Sequence, residues 1–172
     1  MSSTAGEKVN NRTPFQGGLI LIFVAILIIG FVYMSRVLNV GSLWPGFLFF
    51  TCWAGVEQAK IEKLVPVTVG ALVGVLISFL TLYINQNVAG ELGALAAFAV
   101  ILVVIYLQVM GWMLMAINLA TTVFLTVSTI PIVRSTASLT EIIVSLALGV
   151  LIFGGSCVAG ELLERKMKSP SS

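Results

Sequence analysis

Six apolar runs follow one another along the chain, at residues 17–33, 43–56, 64–83, 92–107, 109–133 and 142–158. No single small core can hide that much apolar surface from water. With 59% apolar residues, 9% charged and a mean hydropathy of +1.11, the pattern predicts an all-α integral membrane protein whose partner is the lipid bilayer. The reading is six transmembrane helices. The second run is short for a hydrocarbon core that takes roughly 20 residues to cross, so it fits a tilted span or a re-entrant half-helix.

Residues 17–83 and 92–158 repeat one three-segment order at an ungapped offset of 75 residues. Phe23, Ile26 and Leu27 fall over Phe98, Ile101 and Leu102; Phe49 and Thr51 fall over Phe124 and Thr126. The longest match sets Gly74, Val75, Leu76 and Ile77 over Gly149, Val150, Leu151 and Ile152. This predicts two three-helix repeats, 17–83 and 92–158, between polar tails at 1–16 and 159–172. The alternative is a set of independently patterned apolar helices.

Charge placement separates two topologies, because cytoplasmic loops are enriched in Lys and Arg. If all six segments cross from a cytoplasmic N-terminus, Lys8, Arg12, Lys60, Lys63, Arg165, Lys166 and Lys168 lie inside, and Arg36 and Arg134 outside. If the second and fifth segments only dip in, Lys60 and Lys63 move outside and the bias nearly vanishes. Six crossings with both termini cytoplasmic is therefore the expectation. Three spans per half is an odd number, so the halves would be inverted repeats with short or broken second and fifth helices. The first run follows Lys8 and Arg12 but lacks a small-residue cleavage site, and reads as an uncleaved span. The long apolar stretch 92–133 needs a tight turn near 108–112, with Trp112 at the interface.

Small residues recur in the third segment (Gly70, Gly74, Ser78) and at the matching places of the sixth (Ser145, Gly149). Such stripes let helix backbones approach in lipid, so these two helices are expected to pack on each other; a homodimer contact is the other use. Hydroxyls gather in segments two and five. Trp44, Thr51, Asn118, Thr122 and Thr126 are the candidate lining of a solute pathway, with Thr51 and Thr126 as its symmetric pair. The plainer reading is that these hydroxyls bond back to their own helix carbonyls. Pro45 fits a first helical turn and Pro131 a helix end. Arg36 and Arg134 are candidate outer-mouth cations, or simply snorkel into headgroups. Glu57, Glu62 and Glu141 read as helix-end caps and solvated pairs.

The chain has no His and no Asp, so it offers no His-based metal cluster, no Ser-His-Asp arrangement and no carboxylate buried mid-span for a proton relay. No metal, no cofactor and no enzyme is expected. The net charge of +2 is spread over tails and loops, so nucleic acid is not an expected partner. Cys52 and Cys157 lie in apolar runs and read as small hydrophobes. What remains is a channel or facilitative transporter for a small solute, an anion among the options, built as a homo-oligomer because one chain encloses little. A non-transporting scaffold or regulatory subunit is the competing class.

The stretch Leu43-Trp44-Pro45-Gly46-Phe47-Leu48 with Thr51, and Val144-Ser145-Leu146-Ala147-Leu148-Gly149 followed by Ile152-Phe153-Gly154, resembles the small bacterial inner-membrane family typified by YcdZ. The resemblance covers roughly residues 17–165 and implies a multi-pass protein of the bacterial inner membrane, with a related motif in each half. It implies no activity and no binding residues. Glu57-Gln58-Ala59-Lys60 departs from that family's Gly- and Pro-rich turn. A fainter likeness, to the membrane parts of aromatic-acid exporters and plant malate channels, rests on a Trp-led short span before a Gly-rich helix and is analogy only.

Overall fold

The structure, a computed structural model, describes residues 14–88, 90–135 and 137–168. Lys8 and Arg12 lie outside the described residues, as do the side chains of Arg134, Arg165 and Lys168. All regular structure among the described residues is helical. The elements are α1 (Pro14–Val37), α2 (Trp44–Phe50) continuing as a π-helical turn (Thr51–Val56), α3 (Ile61–Asn87), α4 (Glu91–Met110), α5 (Leu119–Thr129), α6 (Pro131–Ser135) and α7 (Leu139–Gly149). A second π turn (Val150–Gly154) joins α7 to α8 (Gly155–Lys168).

Four stretches are long and apolar enough to cross a membrane: Gly17–Val37, Ile61–Asn87, Glu91–Met110 and Leu139–Leu162. Two apolar helices, Trp44–Val56 and Leu119–Thr129, are shorter. At 1.5 Å per residue the 11-residue α5 is about 16 Å long, roughly half a hydrocarbon core.

Each boundary has a local cause. α1 ends in a Schellman motif, with Asn39 left-handed at φ 53°, Val40 N–H donating to Ser35 O (2.9 Å) and Asn39 N–H to Arg36 O (3.1 Å). Pro45 sits in the first turn of α2, where its missing N–H costs nothing. Gly111, at φ +66°, stops α4. Asn118 and Thr121 form a capping box that starts α5, and Pro131 forces Ile130 into extended backbone after it. Consequently the fifth helix is much shorter than the run 109–133 suggests. The turn at 111–118 takes up the difference, with Trp112 exposed on it.

The halves exchange their short helices. α2 packs on α7, and α5 packs on α3. Gly46 meets Ser145 and Gly149, and the rings of Phe50 and Phe153 lie 4.6 Å apart, so residue numbers rise together and the two helices run the same way. The same holds for α3 and α5, where Gly70 meets Asn118 and Gly74 meets Thr121 and Leu125. α4 packs on α3, and α1 packs on α7 and the turn after it. Burial repeats at the 75-residue offset: Pro45 and Ala120, Gly46 and Thr121, Phe49 and Phe124, Val67 and Ile142, Ala71 and Leu146, Gly74 and Gly149 are buried pair by pair.

Thus the two small-residue stripes do not face each other, as the sequence suggests. Each receives a short helix from the other half, because a glycine on α3 or α7 makes room for main chain that a second bulky long helix would not fit. The centre is aromatic: Phe31, Phe49, Trp53, Phe124 and Phe153 are each at most 1% exposed. Along α1 and α4, by contrast, most apolar side chains are exposed.

Candidate functional site

The polar side chains of α2 and α5 reach their places through backbone chemistry. Asn118 accepts from Ala120 N–H (3.0 Å) as a cap, and its amide N–H donates to Pro66 O on α3 (2.7 Å). Glycine at position 70 leaves the space that amide fills. A capping side chain is worth about 0.5–2 kcal/mol, and here it also ties two helices together. Thr121, which completes the capping box, is fully buried and donates to Ala116 O (2.9 Å). The sequence reading passed over it, although Asn followed by a hydroxyl three residues on is a cap signal.

Thr51 and Thr126 behave alike. Both are exposed, and each donates to the carbonyl one turn back, Thr51 to Phe47 O (2.9 Å) and Thr126 to Thr122 O (2.8 Å). Thr122 donates to the side-chain oxygen of Gln108 on α4. Trp44 is half-buried, its ring 6.2 Å from that of Phe124. Thr51 and Thr126 lie on exposed faces, Asn118 is a helix tie, and Phe49, Trp53 and Phe124 fill the centre. Gly70, Gly74, Ser145 and Gly149 are all buried packing positions.

Arg36 is exposed at the end of α1, next to the Schellman turn; Arg134 lies in α6. Glu141 caps α7 by accepting from Ser138 N–H (2.9 Å), and Glu57 approaches Lys63 at 4.0 Å, the helix-end roles their positions suggest. Trp53 donates to Lys60 O (2.9 Å), fastening the loop where Gln58 and Ala59 are left-handed. Cys52 and Cys157 are free thiols. Among the described residues no three metal-ligating side chains gather.

Four buried polar atoms among the described residues lack a partner: Ser35 Oγ, Trp44 Nε1, Ser128 Oγ and Ser145 Oγ. Each such atom costs about 1–3 kcal/mol when nothing satisfies it. Ser128 falls in the hydroxyl-rich fifth segment without being singled out there, and sequence patterning gave no sign of Ser35.

These features define the class: an all-helical chain, compatible with an integral membrane protein, in which two short apolar helices are set among four long ones. Compared with protein-family models, curated proteins and solved structures, the chain matches none.

Proposed function

We propose that this chain crosses the bacterial inner membrane six times, both termini cytoplasmic, as two inverted three-helix halves, and that it gives a small solute a facilitative route along α2 and α5. One observation carries the reading. The two short helices stand 75 residues apart at equivalent places, and each packs on a long helix of the other half. Short apolar segments at corresponding places of two halves are where membrane transporters keep their solute sites. The shared directions of α2 with α7 and of α3 with α5 fit six alternating crossings. Aromatic rings close the centre of one chain, so the route follows the exposed hydroxyl faces of Thr51 and Thr126, between copies in a homo-oligomer. Glu57, Glu62, Glu91 and Glu141 stand at helix ends, not mid-span, which favours facilitated flow over proton coupling. Membership of the YcdZ-like family is part of this proposal and speaks to location alone.

Flux through purified protein in liposomes tests it, with small organic anions, inorganic anions and neutral solutes as the panel. Permeation removed by Thr51→Val with Thr126→Val supports the route; no permeation above empty liposomes rejects it. The packed aromatic centre favours a second reading, a non-transporting scaffold, and that outcome would select it. Reporter fusions at Gly41 and at Gln58 test the topology: six crossings put the first outside and the second in the cytoplasm.

A further inference from the structure

We infer that the π turn at Val150–Gly154 is a register switch, which by passing into α geometry turns α8 about its axis and withdraws Glu161 from a cleft at the start of α3. The inference is independent of the pathway reading and holds whether or not a solute crosses.

A single π turn inside a helix holds one residue more than α geometry needs there, and such turns recur at functional sites. This one interrupts a helical stretch that runs from Leu139 to Leu162. At the 75-residue offset the matching residues 75–79 are regular helix inside α3. The sequence gives the halves different means at this point: Gly154, Gly155 and Gly160 stand where α3 has Phe79, Leu80 and Asn85. Glycine weakens the hold of helical geometry on the main chain. The other π turn, Thr51–Val56, runs into the loop at 57–60 and has no helix directly behind it to turn.

One amide lies between the two registers. In α geometry the Gly155 N–H donates to the carbonyl four residues back, that of Leu151, and in π geometry to the one five back, that of Val150. It is directed at both, and at Ile152 O as well. Passage from one register to the other therefore keeps an acceptor for this N–H throughout, which a buried main-chain donor requires.

Packing divides the stretch into a held side and a free side. Phe153 is buried between the rings of Phe31 and Phe50, at 5.4 and 4.6 Å. Residues five apart lie about 140° apart around an α-helix, and the wider π turn brings them nearer to one face. Gly154 thus comes round towards the face of Gly149, and Leu64 of α3 lies over it, with Cδ1 2.7 Å from the place of a Cβ. Beyond the turn the hold is weaker: Gly155 and Gly160 meet nothing within 4 Å. Taking up the spare residue into α geometry would turn α8 by about 100° and advance it by about 1.5 Å. Glu161 of α8 lines a cleft of about 480 Å³ with Lys60, Ile61 and Glu62. The rotation carries Glu161 to another side of its helix, so the cleft passes from two carboxylates and one ammonium to one of each.

Electron spin resonance distances on the full-length protein in lipid nanodiscs provide the test, in a Cys52→Ala, Cys157→Ala background. One nitroxide goes on Lys63→Cys and the other on Ala159→Cys or Gly160→Cys, exposed neighbours about 100° apart on α8. At least one pair should show two distances, separated by up to about 8 Å, the path of a side chain carried about 5.5 Å from the helix axis through that turn. Deletion of Leu151, which is exposed, removes the spare residue and leaves α7 and α8 oriented as they are. That variant should keep its Tm and show one distance with each pair. Deletion of Leu76, the matching exposed residue of α3, has no spare residue to remove and should lower Tm. A single distance with both pairs in the undeleted chain, two distances surviving the Leu151 deletion, or equal loss of Tm in the two deletions overturns the switch.

Discussion

Gly149 lies so close to Gly46 that a Cβ added to it would come within 2.7 Å of the Gly46 Cα and 3.2 Å of its carbonyl oxygen. At the 75-residue offset the same relation recurs, since Gly74 matches Gly149, Thr121 matches Gly46, and a Cβ on Gly74 would strike the Thr121 carbonyl. Main chain touches main chain at both junctions. The fold is therefore held by two short helices seated in two glycine notches, each in the opposite half.

Gly149→Ala and Gly74→Ala should both destabilise, by about 1–3 kcal/mol, because the obstructing atoms are backbone and cannot swing aside. Gly155→Ala meets nothing within 4 Å and should be neutral or gain up to about 1 kcal/mol from helix propensity. Unfolding of the purified variants in one detergent checks all three. Equal tolerance of the three alanines would reject the notch.

Asn118 and Gly70 should be coupled. Asn118→Ala removes a cap worth about 0.5–2 kcal/mol and the bridge to Pro66 O. Gly70→Ala pushes a methyl into the amide's place, yet once Asn118 is alanine that place is empty. The double variant should thus be more stable than the two single losses summed, by about 0.5–3 kcal/mol. Strict additivity in a double-mutant cycle would break the link.

Cys52 is 4% exposed and buried beside Trp53, so a membrane-impermeant maleimide should reach it only through local opening. In a Cys157→Ala background its labelling should run on the order of a hundredfold slower than that of a cysteine placed at the exposed Gln58, matching an opening free energy of about 3 kcal/mol. Labelling at comparable rates would mean that water reaches the centre.

Punctuation in the sequence was legible because its causes are local. Pro45, Pro131, the break near Gln108 and the cap role of Glu141 follow from one residue's own backbone or from a partner within a turn. The length of α5 was not, since Asn118 interrupts an apolar run and only its capping geometry shows that the helix starts there. The partners of the glycine stripes were also hidden. Spacing on one helix marks a face that accepts close contact, while the choice between the other stripe and a short helix depends on the whole arrangement. Thr51 and Thr126 were found as a matched pair, yet a period of 3.6 residues cannot tell an exposed hydroxyl from a pore-facing one.

That pair decides between the two functional readings, and valine is the substitution that isolates its chemistry. Thr and Val share a branched outline and a similar helix propensity, so the change removes a hydroxyl and little else. Phe47 O still accepts from the Thr51 main-chain N–H, so no acceptor is left bare there. Both sites are exposed, where substitutions away from caps and cores stay within about 0.5 kcal/mol. Thr51→Val with Thr126→Val should therefore leave Tm nearly unchanged. Permeation lost at constant Tm assigns the hydroxyls to the solute. If the wild type conducts and the double variant conducts equally, the hydroxyls serve only their own helices, and the route must be sought elsewhere on α2 and α5.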